Sequence, residues 1–315
     1  MVVRIDLHSH STVSDGTQSP TQVVHAAARG GLDVLALTDH DTSRGWAEAQ
    51  RAAHEVGLVL VPGMEVSTFW RGRSVHLLVY LPDPTHPALV DRLDAVLRAR
   101  RERVPRILAK LRDLGIDLSL DDVLAAAPDT AAPGRPHVAD ALVAAGVVES
   151  RTEAMLTYLQ SGRPAFVPRT GADLVDALGV VADAGGVSVV AHPWGRGAAG
   201  ALDAAGFAEL RAVGLAGVEV DHEDHSPEQR RELRAVARDL DLVVTGGSDH
   251  HGRGKVGHAL GCHTTAVEEY ERLLTRAAEA ARAAGRGACH PDEPTILSVA
   301  RATGTSAADG SAPRG

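Results

Sequence analysis

Short apolar runs alternate with helical stretches along most of this chain, and run after run stops at a histidine or a carboxylate. Residues 2–7 stop at His8-Ser9-His10, residues 34–37 at Thr38-Asp39-His40-Asp41, and residues 58–61 near Gly63-Met64-Glu65. Residues 75–80 carry His76, and residues 187–191 stop at His192-Pro193. Residues 217–220 stop at Asp221-His222, and residues 242–245 at Gly246-Gly247-Ser248-Asp249-His250-His251. Helix signals lie between the runs: Ser19-Pro20-Thr21 offers a cap with proline in the first turn, and Gly30-Gly31 releases the chain. Runs this short, spaced by helices, predict βα units in a mostly parallel sheet or barrel. In such folds the strand C-termini share one rim, so residues distant in sequence converge there.

The alternation breaks between about residues 82 and 164. That stretch reads as helices over 87–114, 120–127, 136–145 and 149–159, and it carries Arg98, Arg100, Arg101, Arg103, Arg106 and Lys110. The basic run is either a solvated helix face or a wall beside an anionic substrate. The expected organisation is a barrel of residues 1–82 plus 164–288, a helical insertion of residues 83–163, and a disordered tail of residues 289–315. The tail's Ala, Gly, Ser, Thr and Pro cannot build a core.

Composition narrows the chemistry. Sixteen histidines contrast with two cysteines, Cys262 and Cys289, whose spacing fits neither a zinc ribbon nor a disulfide framework. A net charge of −9 argues against a general nucleic-acid or membrane-surface binder, so no duplex-DNA or membrane partner is expected, although a local basic pocket is compatible with an acidic chain. No secretory signal or membrane-length apolar run is visible, so a soluble, cytoplasmic protein is expected. Imidazole and carboxylate suit manganese, iron or zinc. His8 and His10, like Asp249 and His251, are i and i+2 on extended backbone and share one side of it. The candidate ligands outnumber the coordination positions of one ion, which implies two or three.

The motifs Asp6-Leu7-His8-Ser9-His10-Ser11, Ser14-Asp15-Gly16, Thr38-Asp39-His40-Asp41, Pro62-Gly63-Met64-Glu65, Val75-His76, Ala191-His192-Pro193 and Gly247-Ser248-Asp249-His250-His251-Gly252 resemble, in order, those of the PHP (polymerase and histidinol phosphatase) family. The resemblance covers roughly residues 4–82 and 164–265. It implies a distorted (β/α)7 barrel and a trinuclear metal centre. His8, His10, Glu65 and Asp249 would hold one ion; Glu65, His76 and His192 a second; Asp15, His40 and His251 a third. His250 is expected to be a bystander, and Asp6 and Asp39 to orient ligating imidazoles. His222 and His225 match no metal motif.

Gly134-Arg135-Pro136-His137-Val138-Ala139 and Gly162-Arg163-Pro164-Ala165-Phe166-Val167-Pro168 resemble the insertion motifs of a subgroup that removes the 3′-phosphate from nucleoside 3′,5′-bisphosphates. Relatives in that subgroup also trim short RNA from the 5′ end. Arg135, His137 and Arg163 would then bind the substrate phosphate. The implied catalyst is a hydroxide held by the metals, attacking phosphorus in line. The competing activities are a 5′→3′ exoribonuclease on short 5′-phosphorylated RNA and a histidinol phosphatase. A reading of another class is a non-catalytic metal-binding accessory module.

Overall fold

The computed structural model describes residues 2–169, 171–195 and 202–286; the expected tail lies outside them. Strands β1 (Ile5–Asp6), β2 (Val34–Leu37), β3 (Val59–Trp70), β4 (Arg73–Tyr80), β5 (Ala172–Asp173), β6 (Val187–Ala191), β7 (Gly217–Asp221) and β8 (Val243–Gly246) form one sheet. Its order is β1-β2-β3-β4-β6-β7-β8, with β5 beside β3. The ring closes where β8 runs on against β1: Leu7 N donates to Gly246 O at 3.3 Å, Asp249 N to His8 O at 2.9 Å, and His10 N to His250 O at 2.8 Å. Only glycine permits that closure, because a Cβ on Gly247 would lie 2.5 Å from His8 Cβ. The result is a distorted seven-stranded barrel, as the motifs imply.

Alternation sorts the side chains. Ile5, Leu7, Val34, Ala36, Val59 and Val61 join one buried cluster, to which helix α10 (Val267–Ala283) adds Tyr270, Leu273 and Ala277. Leu35, Leu37 and Leu60 face the other way and pack on α1 (Pro20–Arg29) and α2 (Trp46–Val56). The start of α1 follows from its sequence: Ser19 and Gln22 form a reciprocal capping box, with Pro20 at the first helical position.

One strand departs from expectation. β3 does not stop near Glu65 but runs on to Trp70, turns through Arg71 (φ 49°) and Gly72 (φ 77°), and returns as antiparallel β4. Two left-handed residues make the tight hairpin turn whose twist matches paired strands. His76 therefore reaches the rim early in a strand that runs against its neighbours. It pairs in register with Ser67 and Ala191.

The segment between β4 and β5 is helical: α3 (Pro87–Asp113), α4 (Leu120–Ala125), α5 (Arg135–Ala144), α6 (Arg151–Ala154) and a π-turn over Met155–Leu159. The first half of α3 packs Leu89 and Leu93 on the barrel. Past Arg100 it changes partner, and Val104, Ile107, Leu108 and Leu111 join Val138, Leu142 and Leu159 in a separate core. Pro105 sits at that change, where it removes one rung of the helical ladder. Helices α7 (Leu174–Asp183), α8 (Ala204–Ala212) and α9 (Pro227–Asp239) complete the outer layer of the barrel. Among the described residues no helix is long and apolar enough to cross a membrane.

Candidate metal centre

The rim gathers all nine candidate ligands into contact. Glu65 is central, and it is buried. Its Oε2 lies 3.3 Å from His8 Nε2, 3.1 Å from His10 Nε2 and 3.2 Å from His40 Nδ1. Its Oε1 lies 2.6 Å from His76 Nδ1 and 3.1 Å from His192 Nε2. Asp249 Oδ1 is 3.4 Å from His8 Nε2 and 3.3 Å from His10 Nε2. Asp15 faces His251 Nε2 at 3.2 Å and His40 Nε2 at 3.7 Å. Two of the candidate ligands sit on strained backbone, His192 at φ 26° and Asp249 at φ 50°. Such strain persists only where surrounding contacts over-determine it.

Hydrogen bonds elsewhere on the rings fix which nitrogen carries a lone pair. His8 Nδ1–H donates to Glu219 Oε1 at 2.9 Å, so its Nε2 faces His10 Nε2 at 3.1 Å and two carboxylates. His251 Nδ1–H donates to the Asp249 carbonyl at 2.8 Å, leaving its Nε2 lone pair toward Asp15. His76 Nδ1 makes no hydrogen bond although a carboxylate oxygen is 2.6 Å away. Imidazole nitrogens this close to one another and to carboxylates need protons or cations between them. That donor set fits divalent ions, and the groups His8–His10–Glu65–Asp249, His40–Glu65–His76 and His10–Asp15–His40–His251 each bring their ligand atoms within 4.8 Å of one another.

The electrostatics are correspondingly uneven. Burial opposes charge on Glu65, yet His76, His40 and His8 outweigh it and hold its carboxyl well below the usual range. Burial also opposes charge on His10, but Asp249 and Glu65 pull that ring up to about 9. His40 goes the other way, down to about 4, because burial outweighs Glu65 and Asp15. One cluster thus holds imidazoles biased toward both protonation states, as expected where buried carboxylates are shared.

A supporting layer surrounds the ligands. Glu219, in β7, accepts from His8 Nδ1–H with one oxygen and from the His192 amide, at 2.9 Å, with the other. Burial notwithstanding, His8 and His222 hold it down to about 2. His222 donates from Nε2 to Asp249 Oδ2 at 3.2 Å and accepts the Asp224 amide on Nδ1 at 3.0 Å. His225 pins Trp194 and the Val220 carbonyl. Asp6 and Asp39 touch no ligating ring. Asp6 accepts the amides of His8, Ser248 and Gly261, and Asp39 binds Ser11 and Ser14. His250 bonds the His258 carbonyl and Gln18 and stands in none of the clusters. The sequence reading missed Glu219, although a carboxylate inside an otherwise apolar strand was a visible signal. Replacing Glu219 by glutamine should weaken metal binding about 10–100-fold, as loss of an outer-shell partner does. Metal-buffered titration would read it, and unchanged affinity would refute the role.

The three expected phosphate contacts fare differently. His137 is buried: its Nδ1 accepts the Gly134 amide at 2.9 Å and its Nε2–H donates to the Ser14 carbonyl at 2.8 Å. Both nitrogens are engaged by backbone, so the ring positions a loop rather than gripping a phosphate. Arg163 is exposed, its amide closing a turn on Gln160. Arg135 stacks at 5.9 Å over Phe166 and belongs to a cluster of guanidiniums with Arg100, Arg103 and Arg169. The basic run on α3 therefore splits: Arg100 and Arg103 turn inward, while Arg98, Arg101, Arg106 and Lys110 are exposed. Arg100 and Arg169 both donate to Ser67 Oγ, at 2.9 and 3.1 Å, and Arg100 pairs with the buried Asp41 at 2.7 Å. Ser67 is the register partner of His76, so the guanidiniums border the histidine cluster.

Residues 6–102 match the family model described as the PHP domain. The chain is 38% identical, over 80% of its length and 91% of the relative's, to the 5′-3′ exoribonuclease of Haemophilus influenzae. It is 34% identical to the 3′,5′-nucleoside bisphosphate phosphatase of Chromobacterium violaceum, over 89% of this chain and 98% of that one. A solved structure from Bifidobacterium adolescentis, assigned as a metal-dependent phosphoesterase, superposes with a TM-score of 0.83 at 36% identity, over 88% of this chain and 97% of that chain. Likeness over nearly the whole length of these relatives, together with a barrel rim crowded by histidines and carboxylates, places the chain in the PHP family of metal-dependent phosphoesterases.

Proposed function

We propose that this enzyme hydrolyses the 3′-phosphate ester of nucleotides that also carry a 5′-phosphate, nucleoside 3′,5′-bisphosphates foremost. The observation that carries this reading is the nest of guanidiniums beside the histidine cluster. Burial, together with Arg135, Arg169, Arg100 and Arg106, pulls Arg103 down to about 9. Burial and Arg100 bring Arg169 down to about 10, despite Asp41. Crowded, half-desolvated positive charge calls for a polyanion, and guanidinium forks match phosphate geometry. A substrate with a second phosphate away from the scissile one supplies it. Histidinol phosphate brings a cationic amine instead, which this nest would repel.

His8, His10, Glu65 and Asp249 would hold one ion, Glu65, His76 and His192 a second, and Asp15, His40 and His251 a third, with manganese the favoured occupant. When bound, such ions supply Lewis acidity toward a phosphoryl oxygen and lower the pKa of water. The chain's own residues do the rest. Arg135 and Arg169 hold the distal phosphate and so fix the ester over the rim. Glu219 and His222 keep His8 and Asp249 in place. In the overall reaction the P–O3′ bond breaks, the water oxygen joins phosphorus, and the departing oxygen takes up a proton.

A second reading, 5′→3′ hydrolysis of short 5′-phosphorylated RNA, uses the same nest and the same bond, and one relative's name supports it. The test is phosphate release from adenosine 3′,5′-bisphosphate by the manganese-loaded protein, beside a 5′-phosphorylated oligoribonucleotide and histidinol phosphate. Arg169→Ala and Arg135→Ala should each raise KM for the bisphosphate about 10–100-fold, the loss of one charge-assisted contact of about 1.5–3 kcal/mol. Turnover of histidinol phosphate with silence toward the bisphosphate would overturn the assignment.

A further inference from the structure

Two surface grooves flank the β8 side of the barrel, and they differ in charge. The first, about 480 Å³ between α9 and α10, is self-neutralised: Arg234 pairs with Asp221, and Arg272 pairs with Glu269 at 2.9 Å. The second, about 590 Å³, is lined by Gln18, Gln22, His25, Arg29, His250 and Arg253, with Thr17 and Gly252 at its base, and among the described residues no carboxylate lines it. Arg29 and Arg253 are exposed, and neither guanidinium meets a carboxylate at ion-pair distance among the described residues. In a chain with a net charge of −9, an acid-free basic groove is a departure from the surface at large.

Its place on the rim gives the departure meaning. The groove's inner wall is the pair of loops that carry Asp15 and His251. Thr17 N donates to His251 O at 3.2 Å, Arg253 N donates to Thr17 Oγ1 at 2.9 Å, and Asp15 faces His251 at 3.2 Å. Arg100 and Arg169 of the guanidinium nest lie across the ring, on Ser67 of the β3–β4 pair, while Arg135 sits on α5, which reaches the Ser14 carbonyl through His137. In the strand order, β4 is three strands from β1 one way and three from β8 the other. Positive charge therefore stands on opposite sides of the histidine cluster. A nucleoside bisphosphate has a phosphate for the nest and an ester for the rim, and nothing left for the far side.

We propose that the groove of Arg29, Arg253 and His25 binds the sugar–phosphate backbone downstream of the scissile phosphate in a single-stranded oligonucleotide. The proposal rests on the phosphoesterase reading above and extends it to a substrate that crosses the rim. The guanidiniums meet backbone phosphates and the His25 ring offers a stacking face, the mixture that single-strand binding uses, while the His250–Gln18 bond and the Gln22 cap of α1 hold the groove's shape.

The test pairs turnover with binding, using the full-length manganese-loaded protein. In R29E/R253E the ratio of kcat/KM for a 5′-phosphorylated hexaribonucleotide to that for adenosine 3′,5′-bisphosphate should fall about tenfold or more, through KM. The milder R29Q/R253Q should fall in the same direction. Binding of a fluorescent 5′-phosphorylated hexamer with 2′-O-methyl riboses, read by anisotropy, should lose about 1.4 from its log–log salt slope if two phosphate contacts vanish. An equal effect on both substrates, or unaltered hexamer binding in both variants, overturns the groove. If wild-type protein binds the hexamer with that salt slope yet cleaves neither substrate, the groove stands and the hydrolytic reading falls.

Discussion

Replacing Glu65 by glutamine is expected to lower kcat by about a thousandfold or more while leaving the barrel folded, since electrostatic groups at a reacting centre are worth about that much. Among the described residues, Glu65 is the one side chain in contact with His8, His10, His40, His76 and His192 together. Glutamine keeps its shape but offers an NH₂ group to ring nitrogens that already converge. The carboxylate's charge, needed to share cations between neighbouring groups, is gone. Its backbone sits mid-strand in β3, held by the ladder to β4, so secondary structure survives. Elemental analysis of the purified variant should find less bound metal, and near-UV circular dichroism should match wild type. A kcat close to wild type, with full metal content, would remove Glu65 from the centre.

Stripping the metals with a chelator should lower the melting temperature by about 8 °C or more. An ion held at a thousand times its dissociation constant stabilises by about 4 kcal/mol, and each kcal/mol moves Tm by about 2–4 °C in a domain of this size. The figure applies to one site, so loss of several moves Tm further. Without cations, Glu65, Asp15, Asp249 and Glu219 remain buried among imidazoles whose ring nitrogens face each other. Re-adding manganese should restore Tm, and Glu65→Gln should show a smaller chelator effect than wild type. An unchanged Tm in the stripped protein would mean that the rim is held by protein contacts alone.

Much of this centre could be read from residue order, because a parallel barrel turns strand ends into neighbours. His8, His10, His40 and His192 follow apolar runs, and that position alone brings them to one rim. The hairpin was harder. Residues 65–70 mix polar and aromatic side chains, so nothing in their pattern extends the run past Glu65 except the turn at Arg71-Gly72. Glu219 illustrates a different obstacle: its task depends on β7 lying beside β6 and β8, a relation between strands that no local pattern encodes. The motif holding Arg135 and His137 marks the right segment, yet which side chain faces the cleft is decided by helix α5's cap. That cap occupies His137, so the phosphate role proposed here passes to Arg135 and to Arg169, ten residues past the π-turn.

Beyond the packing of α3 and the Arg100 contacts with Ser67 and Asp41, the insertion also grips the barrel at the loop of residues 13–15. Ala131 N donates to the Val13 carbonyl at 2.8 Å, Thr130 and His137 donate to the Ser14 carbonyl at 2.9 and 2.8 Å, and Arg151 donates to the Asp15 carbonyl at 3.0 Å. The segment proposed to hold the substrate's second phosphate is thus fastened to the backbone on either side of Asp15, a candidate metal ligand. Substrate range in such a protein cannot be exchanged by swapping helices alone. A transplanted insertion would have to keep the donors now supplied by Thr130, Ala131, His137 and Arg151, because the acceptors at residues 13–15 are main-chain carbonyls that any sequence provides.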